Sequence, residues 1–263
     1  MKLSIFSLLA VVSIIGWGWT RAAKPARAAD ARTPLLVELF TSEGCSSCPP
    51  ADRFLEKLDQ QPIAGAEMIV LSEHVDYWNH IGWKDPFSAR SYSDRQSAYA
   101  SRFALDSVYT PQMVVDGSAE FVGSNSGLAE RSFRKALRSR KIPLRLSSIS
   151  IDTSNTLHVH LETGILEPSF GLSKAEVYLA VALKRAESQV SAGENSGHKL
   201  VHVSVVRSLT RLGTVERGHN FAEDAQIKLE PGSDGRNLRL VAFLQAPGQG
   251  RVLGAASLPV VRN

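Results

Sequence analysis

The chain holds two cysteines, Cys45 and Cys48, within Thr41-Ser42-Glu43-Gly44-Cys45-Ser46-Ser47-Cys48-Pro49-Pro50. Two thiols at this spacing suit reversible disulfide chemistry, in which one sulfur attacks a partner and the other reaches back to resolve the product. They suit a structural staple poorly. Stabilisation by a cross-link grows with the loop it closes, and so small a ring is worth about 2 kcal/mol, against about 5 kcal/mol for a hundred-residue loop. Two other chemistries stay open, an inert local disulfide and half of a zinc site. Zinc needs further ligands. His74 and His80 are the nearest candidates, and no second Cys-x-x-Cys is present.

The neighbouring residues say how the thiols are held. Leu35-Leu36-Val37-Glu38-Leu39-Phe40 reads as a buried strand. Pro49 and Pro50 fit the first turn of a helix and would break its interior. Phe54, Leu55 and Leu58 then supply the helix with an apolar face. Cys45 therefore falls where a strand feeds a helix N-terminus, whose free N–H groups and dipole favour a thiolate. We expect Cys45 to be the more exposed thiol and Cys48 the shielded one. Glu43 opposes thiolate formation at Cys45. A second segment follows the apolar run Met68-Ile69-Val70-Leu71, itself a strand. His74 and Asp76 lie just past its C-terminal end, the edge where open α/β sheets bind ligands. Tyr77, Trp78 and Trp83 either form an aromatic wall beside the cysteines or simply pack this segment. Asp85-Pro86 reads as the N-cap and first residue of a helix running to about Arg102. Thr110-Pro111 precedes the strand Gln112-Met113-Val114-Val115, the turn Asp116-Gly117 and a return strand, Ala119-Glu120-Phe121-Val122. A closing helix is expected from Ser126 to Arg140.

A strand, a Cys-x-x-Cys helix start and a later Thr-Pro before a strand together resemble the thioredoxin superfamily, over about residues 33–142. The strings Cys-Ser-Ser-Cys-Pro-Pro, His-Val-Asp-Tyr-Trp and Tyr-Thr-Pro-Gln-Met-Val-Val-Asp-Gly are similar to one group in particular. It is the family of uncharacterised, exported bacterial thioredoxin-like proteins with a domain of unknown function. The resemblance implies an α/β thioredoxin-like N-terminal domain over residues 30–142, with a helical insertion at about 77–104. It implies thiol–disulfide oxidoreductase activity, with Cys45 as nucleophile, Cys48 as resolving thiol and Pro111 in a cis peptide bond beside them. Thr110, His74, Asp76, Tyr77 and Trp78 would bind the substrate. The partners implied are thiols or disulfides of proteins or small molecules, with a membrane redox partner, and neither cofactor nor metal. Glu38 resembles the buried acid of that family, although it stands seven residues before Cys45; an edge-exposed acid is the other reading. The competing function is a non-catalytic envelope binding or scaffold protein on the same fold.

Beyond Lys141-Ile142-Pro143 the apolar period changes to two, and six to eight strands over residues 143–263 suggest an all-β sandwich-like C-terminal domain. His158 and His160, and likewise His198 and His202, would share strand faces; such pairs can bind metal, or else are polar residues on solvent faces, since no carboxylate or cysteine completes a site. The basic residues Arg131, Arg134, Lys135, Arg138, Arg140 and Lys141 read as a solvated helix face or a site for an anion or an acidic partner. At the start, Lys2, an apolar stretch from Leu3 to Ile15 and Ala26-Arg27-Ala28 describe a signal peptide over residues 1–29, or else a retained anchor. These residues carry Lys2, Arg21, Lys24 and Arg27 and no acid. Removing these four from the 30 basic residues leaves 26, equal to the 26 acidic ones. A neutral body argues against nucleic acid as a partner. The working compartment is expected to be the periplasm or the exterior.

Overall fold

The computed structural model describes residues 32–61 and 63–260; the leader expected at residues 1–29 lies outside them. In chain order the first half gives β1 (Thr33–Thr41), α1 (Pro49–Gln60), β2 (Ala66–His74), α2 (Arg90–Phe103), β3 (Gln112–Val115), β4 (Ala119–Val122) and α3 (Ser126–Ala136). The second half gives β5 (Leu144–Ile151), β6 (Thr156–Thr163), β7 (Lys174–Gln189), β8 (Lys199–Glu216), β9 (Ala222–Lys228), β10 (Leu238–Gln245) and β11 (Val252–Pro259).

One mixed sheet runs through both halves, in the order β11-β10-β7-β8-β2-β1-β3-β4. β1 and β2 are parallel, β3 is antiparallel to β1, and β8 joins parallel to β2 with Ser72 opposite Val205. A second sheet, β5-β6-β9, is antiparallel. This corrects the expectation of a separate α/β thioredoxin-like domain followed by a separate all-β sandwich. Strands β7, β8, β10 and β11 extend the sheet that holds β1–β4, and only β5, β6 and β9 form another. Ile142, expected in a linker, is buried, and its N–H donates to the Leu253 carbonyl at 2.7 Å. Among the described residues, no helix is long and apolar enough to cross a membrane.

The cores follow from this topology. β1 is central and covered on both faces, which explains its unbroken apolar run. Its odd-numbered residues Leu35, Val37 and Leu39 pack with Ala51, Leu55 and Leu58 of α1 and Phe133 of α3. On the opposite face, Leu36 shares a core with Ile69, Leu71, Tyr92, Val206, Val241 and Phe243, residues from both halves of the chain. Glu38 lies on that second face too. It is buried, accepting from Arg95 Nε at 2.6 Å and from the Tyr99 hydroxyl at 2.6 Å. This excludes the edge-exposed reading and directs the carboxylate at α2.

Two helix boundaries differ from expectation. α1 starts as read, with Pro49 and Pro50 in its first two positions. α2 begins at Arg90, not at Asp85-Pro86, because the Asp85 carboxylate is taken up by His74 and by the N–H groups of Glu43 and Phe87. α3 ends at Ala136, ahead of the expected Arg140, and Lys141 beyond it reaches Asp116 at 2.6 Å.

Because one core spans both halves, heating should give a single transition, with equal calorimetric and van't Hoff enthalpies. Two resolved transitions in calorimetry would contradict the shared sheet.

Candidate functional site

The cysteines occupy the turn between β1 and α1. Cys45 N–H donates to the Ser42 carbonyl, and Cys48 N–H to that of Cys45 at 3.2 Å. Cys48 caps α1, its carbonyl accepting from Ala51 and Asp52. The two sulfurs form a disulfide across a Cα–Cα distance of 5.5 Å. Ser47 Oγ lies 3.4 Å from Cys45 Sγ, within hydrogen-bond range. Both cysteines are 0% exposed while Ser46 and Ser47 between them face solvent. The expectation of an exposed Cys45 and a shielded Cys48 is therefore corrected.

Residues far along the chain cover the turn. The connection between β7 and β8 brings Asn195, whose side-chain amide donates to the carbonyls of Glu43 at 2.8 Å and Cys45 at 3.0 Å. Next to it, the Glu194 carboxylate accepts from Ser46 N–H at 3.0 Å, and hydrogen bonding to the Ser46 side chain and then to its N–H holds its carboxyl below the usual range. On another side stands Trp78. A Cβ added to Gly44 would lie 3.1 Å from Trp78 Cβ, so only glycine permits this approach without displacement. Trp78 Nε1 donates to Thr110 Oγ1 at 2.7 Å. The Thr110–Pro111 bond is cis. Gly123 lets Pro111 close on α1: a Cβ there would be 2.8 Å from Leu39 Cδ1, 3.1 Å from Ala51 Cβ and 3.4 Å from Pro111 Cβ.

A buried ionic cluster lies beside the turn. Glu43 turns its side chain inward, accepting from Trp83 Nε1 at 2.7 Å and standing 3.4 Å from His202 Nε2. His202 Nδ1 is 3.8 Å from Asp52, which accepts from Thr41 Oγ1 at 2.9 Å. The rings of His202 and His74 meet edge to face at 4.6 Å, and His74 Nδ1 lies 2.7 Å from Asp85. Burial pushes the His202 imidazolium down, but its contacts with Asp52 and Glu43 outweigh this and raise it to about 10. Burial likewise pushes the Asp85 carboxyl up, and the charge and hydrogen bond of His74, with the N–H groups of Glu43 and Phe87, bring it down to about 2. The Glu43 carboxylate thus faces Trp83 and His202, whose charged form Glu43 and Asp52 favour.

The family model described as "Protein of unknown function (DUF1223)" matches residues 36–245. The chain belongs to this family. Among solved structures, protein AGR_C_4864 from Agrobacterium tumefaciens is 24% identical, with a TM-score of 0.69 over 89% of this chain and 97% of that one. HBP35 of Porphyromonas gingivalis is 13% identical, with a TM-score of 0.64 over 87% of this chain and 76% of that one. Both are likenesses of fold. No curated protein matches the chain.

Of the residues expected at the site of this DUF1223 protein, Cys45, Cys48, Trp78, Thr110 and Pro111 come together. His74 is near but wholly buried in the ionic cluster. Asp76 faces α2, accepting from Ser93 Oγ at 2.5 Å, and the Tyr77 hydroxyl donates to Gln96 at 3.1 Å. His158 and His160 pair with Asp152 and Asp224 away from the turn. Sequence reasoning missed Asn195, Glu194 and His202. For His202 a signal exists: Leu200, Val203, Val205 and Val206 fill both faces of its strand, which leaves no solvent face for it.

The raised His202 group stabilises the fold fully below its unfolded value of about 6.5 and loses that contribution as pH rises through about 10. Denaturant stability should therefore fall between these limits, and His202→Gln should flatten the slope. An unchanged slope in that variant would contradict the buried ion pair.

Proposed function

We propose that this chain is an exported thiol–disulfide oxidoreductase. In the reducing direction the Cys45 thiolate attacks a substrate disulfide, forming a mixed disulfide and expelling one substrate thiolate. The Cys48 thiolate then attacks Cys45 sulfur, closing the Cys45–Cys48 bond and releasing the second thiolate. Two electrons pass from the pair to the substrate, and the reverse sequence oxidises a dithiol. The supporting observation is the disulfide's position: it closes a ring at the cap of α1 and ties together no two elements. The Ser47 hydroxyl, the cap position and the His202 charge that offsets Glu43 all favour a thiolate there. The contact of Thr110 with Trp78, which packs on Gly44, supports a role for Thr110 and Pro111 in seating an extended peptide that carries the substrate sulfur. The leader read in the sequence supports export, and the substrates proposed are thiols or disulfides of proteins or small molecules.

Complete burial of both sulfurs favours a second reading, a non-catalytic scaffold with a local staple. The two separate in Cys48→Ala. Offered glutathione disulfide, this variant should hold a stable adduct at Cys45, because the resolving thiol is gone. Asn195→Ala should speed reduction of the wild-type disulfide by dithiothreitol about tenfold, since two hydrogen bonds to the turn are lost. No adduct by mass spectrometry, with reduction no faster in Asn195→Ala, supports the scaffold.

A further inference from the structure

The basic helix noted in the sequence is not uniformly solvated. Arg134 pairs with Glu130, Arg140 with Glu167, and Lys141 with Asp116. Lys135 has no acidic partner among the described residues. It lines a cavity of about 410 Å³ at the β3–β4 turn, remote along β1 from the cysteines, since Asp116 N–H donates to Leu36 near the strand's start. Small-molecule sites typically enclose about 300–1,000 Å³.

Three cations from separate elements line this space: Arg102 from the end of α2, Lys135 from α3 and Arg251 from just before β11. Arg102 donates to the Gly117 carbonyl at 3.3 Å, and Arg251 lies 5.9 Å from the Phe170 ring centre. None of the three forms an ion pair among the described residues. Asp116 is the one carboxylate among the lining residues, and both its oxygens are taken, by Leu36 N–H at 3.0 Å and Lys141 Nζ at 2.6 Å. Burial holds Lys141 below its usual range, Asp116 opposes this, and Arg251 pushes the same way as burial. The wall thus carries an excess of positive charge with no ion-pair partner among the described residues. Ser132 and Ser139 add hydroxyl groups to the lining.

We propose that this cavity binds a small phosphate ester, its phosphate held by Arg102, Lys135 and Arg251 and its organic part by the serine-lined remainder. A phosphate monoester carries a charge near −2 and three acceptor oxygens, which suits cations converging from three elements. A carboxylate offers one charge and two oxygens. The ester is either a free metabolite or a lipid headgroup, and the experiment has an arm for each.

The test titrates the full chain with glycerol 3-phosphate by calorimetry and, separately, measures retention on phosphatidic acid vesicles, whose headgroup is a phosphate monoester, against phosphatidylcholine vesicles. Saturable binding in either arm is expected, weakened about tenfold or more by Arg251→Gln or Lys135→Gln and unchanged by Arg138→Gln. Arg138 is exposed on the same basic segment and does not line the cavity. Binding in the first arm assigns a soluble ester, and binding only in the second assigns the headgroup. Failure of both arms, equal weakening in Arg138→Gln, or malonate binding as tightly as glycerol 3-phosphate overturns the proposal. Matching melting temperatures for the variants establish that lost binding is not lost folding.

Discussion

β8 lies against β2, with Ser72 opposite Val205, and the site depends on that one pairing. β7 and β8 form a long antiparallel hairpin, from Lys174 opposite Glu216 to Gln189 opposite Lys199. Once one strand of such a hairpin is fixed, everything along it is placed at about 3.3 Å per residue. The pairing therefore sets two things at once. His202, three positions before Val205, is carried to Glu43 and Asp52, and the connection beyond Lys199 is carried over the cysteine turn. Lid and charge partner come from the same hairpin.

The second constraint is charge balance in a buried setting. Isolated buried charges cost several kcal/mol, and good pairing offsets this only when geometry is tight. Arg95 meets Glu38 at 2.6 Å, and it lies within 5.5 Å of the ring centres of Tyr99, Tyr178 and Phe243. Glu73, beside them, has its carboxyl raised well above the usual range by burial and by Glu38, with Arg95 opposing. On the other face of the sheet, His202 answers Glu43 and Asp52, and Asp85 answers His74. These groups come from β1, β2, β8, α1, α2 and the connections between them, so the network defines how the elements fit together as well as what charges surround the disulfide.

What the sequence shows, and what it hides, follows the range of the interactions. Local rules suffice for β1, for Pro49 and Pro50 opening α1, and for β3 and β4 around Asp116-Gly117. They also mark the strand periods of the second half. They do not reveal which sheet those strands join, because a parallel pair leaves no turn between its members; reading two domains followed from treating the change of period as a boundary. Asp85 misleads for a related reason. An Asp before a proline looks like a cap, but a partner eleven residues back, His74, claims its carboxylate. Asn195 and Glu194 sit in an ordinary polar loop and carry no local mark of their contact with Cys45 and Ser46.

The central claim is that Cys45 and Cys48 are a working redox couple. Its most direct test is the equilibrium reduction potential of the pair, measured against glutathione or dithiothreitol buffers by quantifying the free thiols of Cys45 and Cys48. The account predicts a value between about −120 and −270 mV, the span of working oxidoreductases. A value below about −300 mV, where structural disulfides lie, would contradict it.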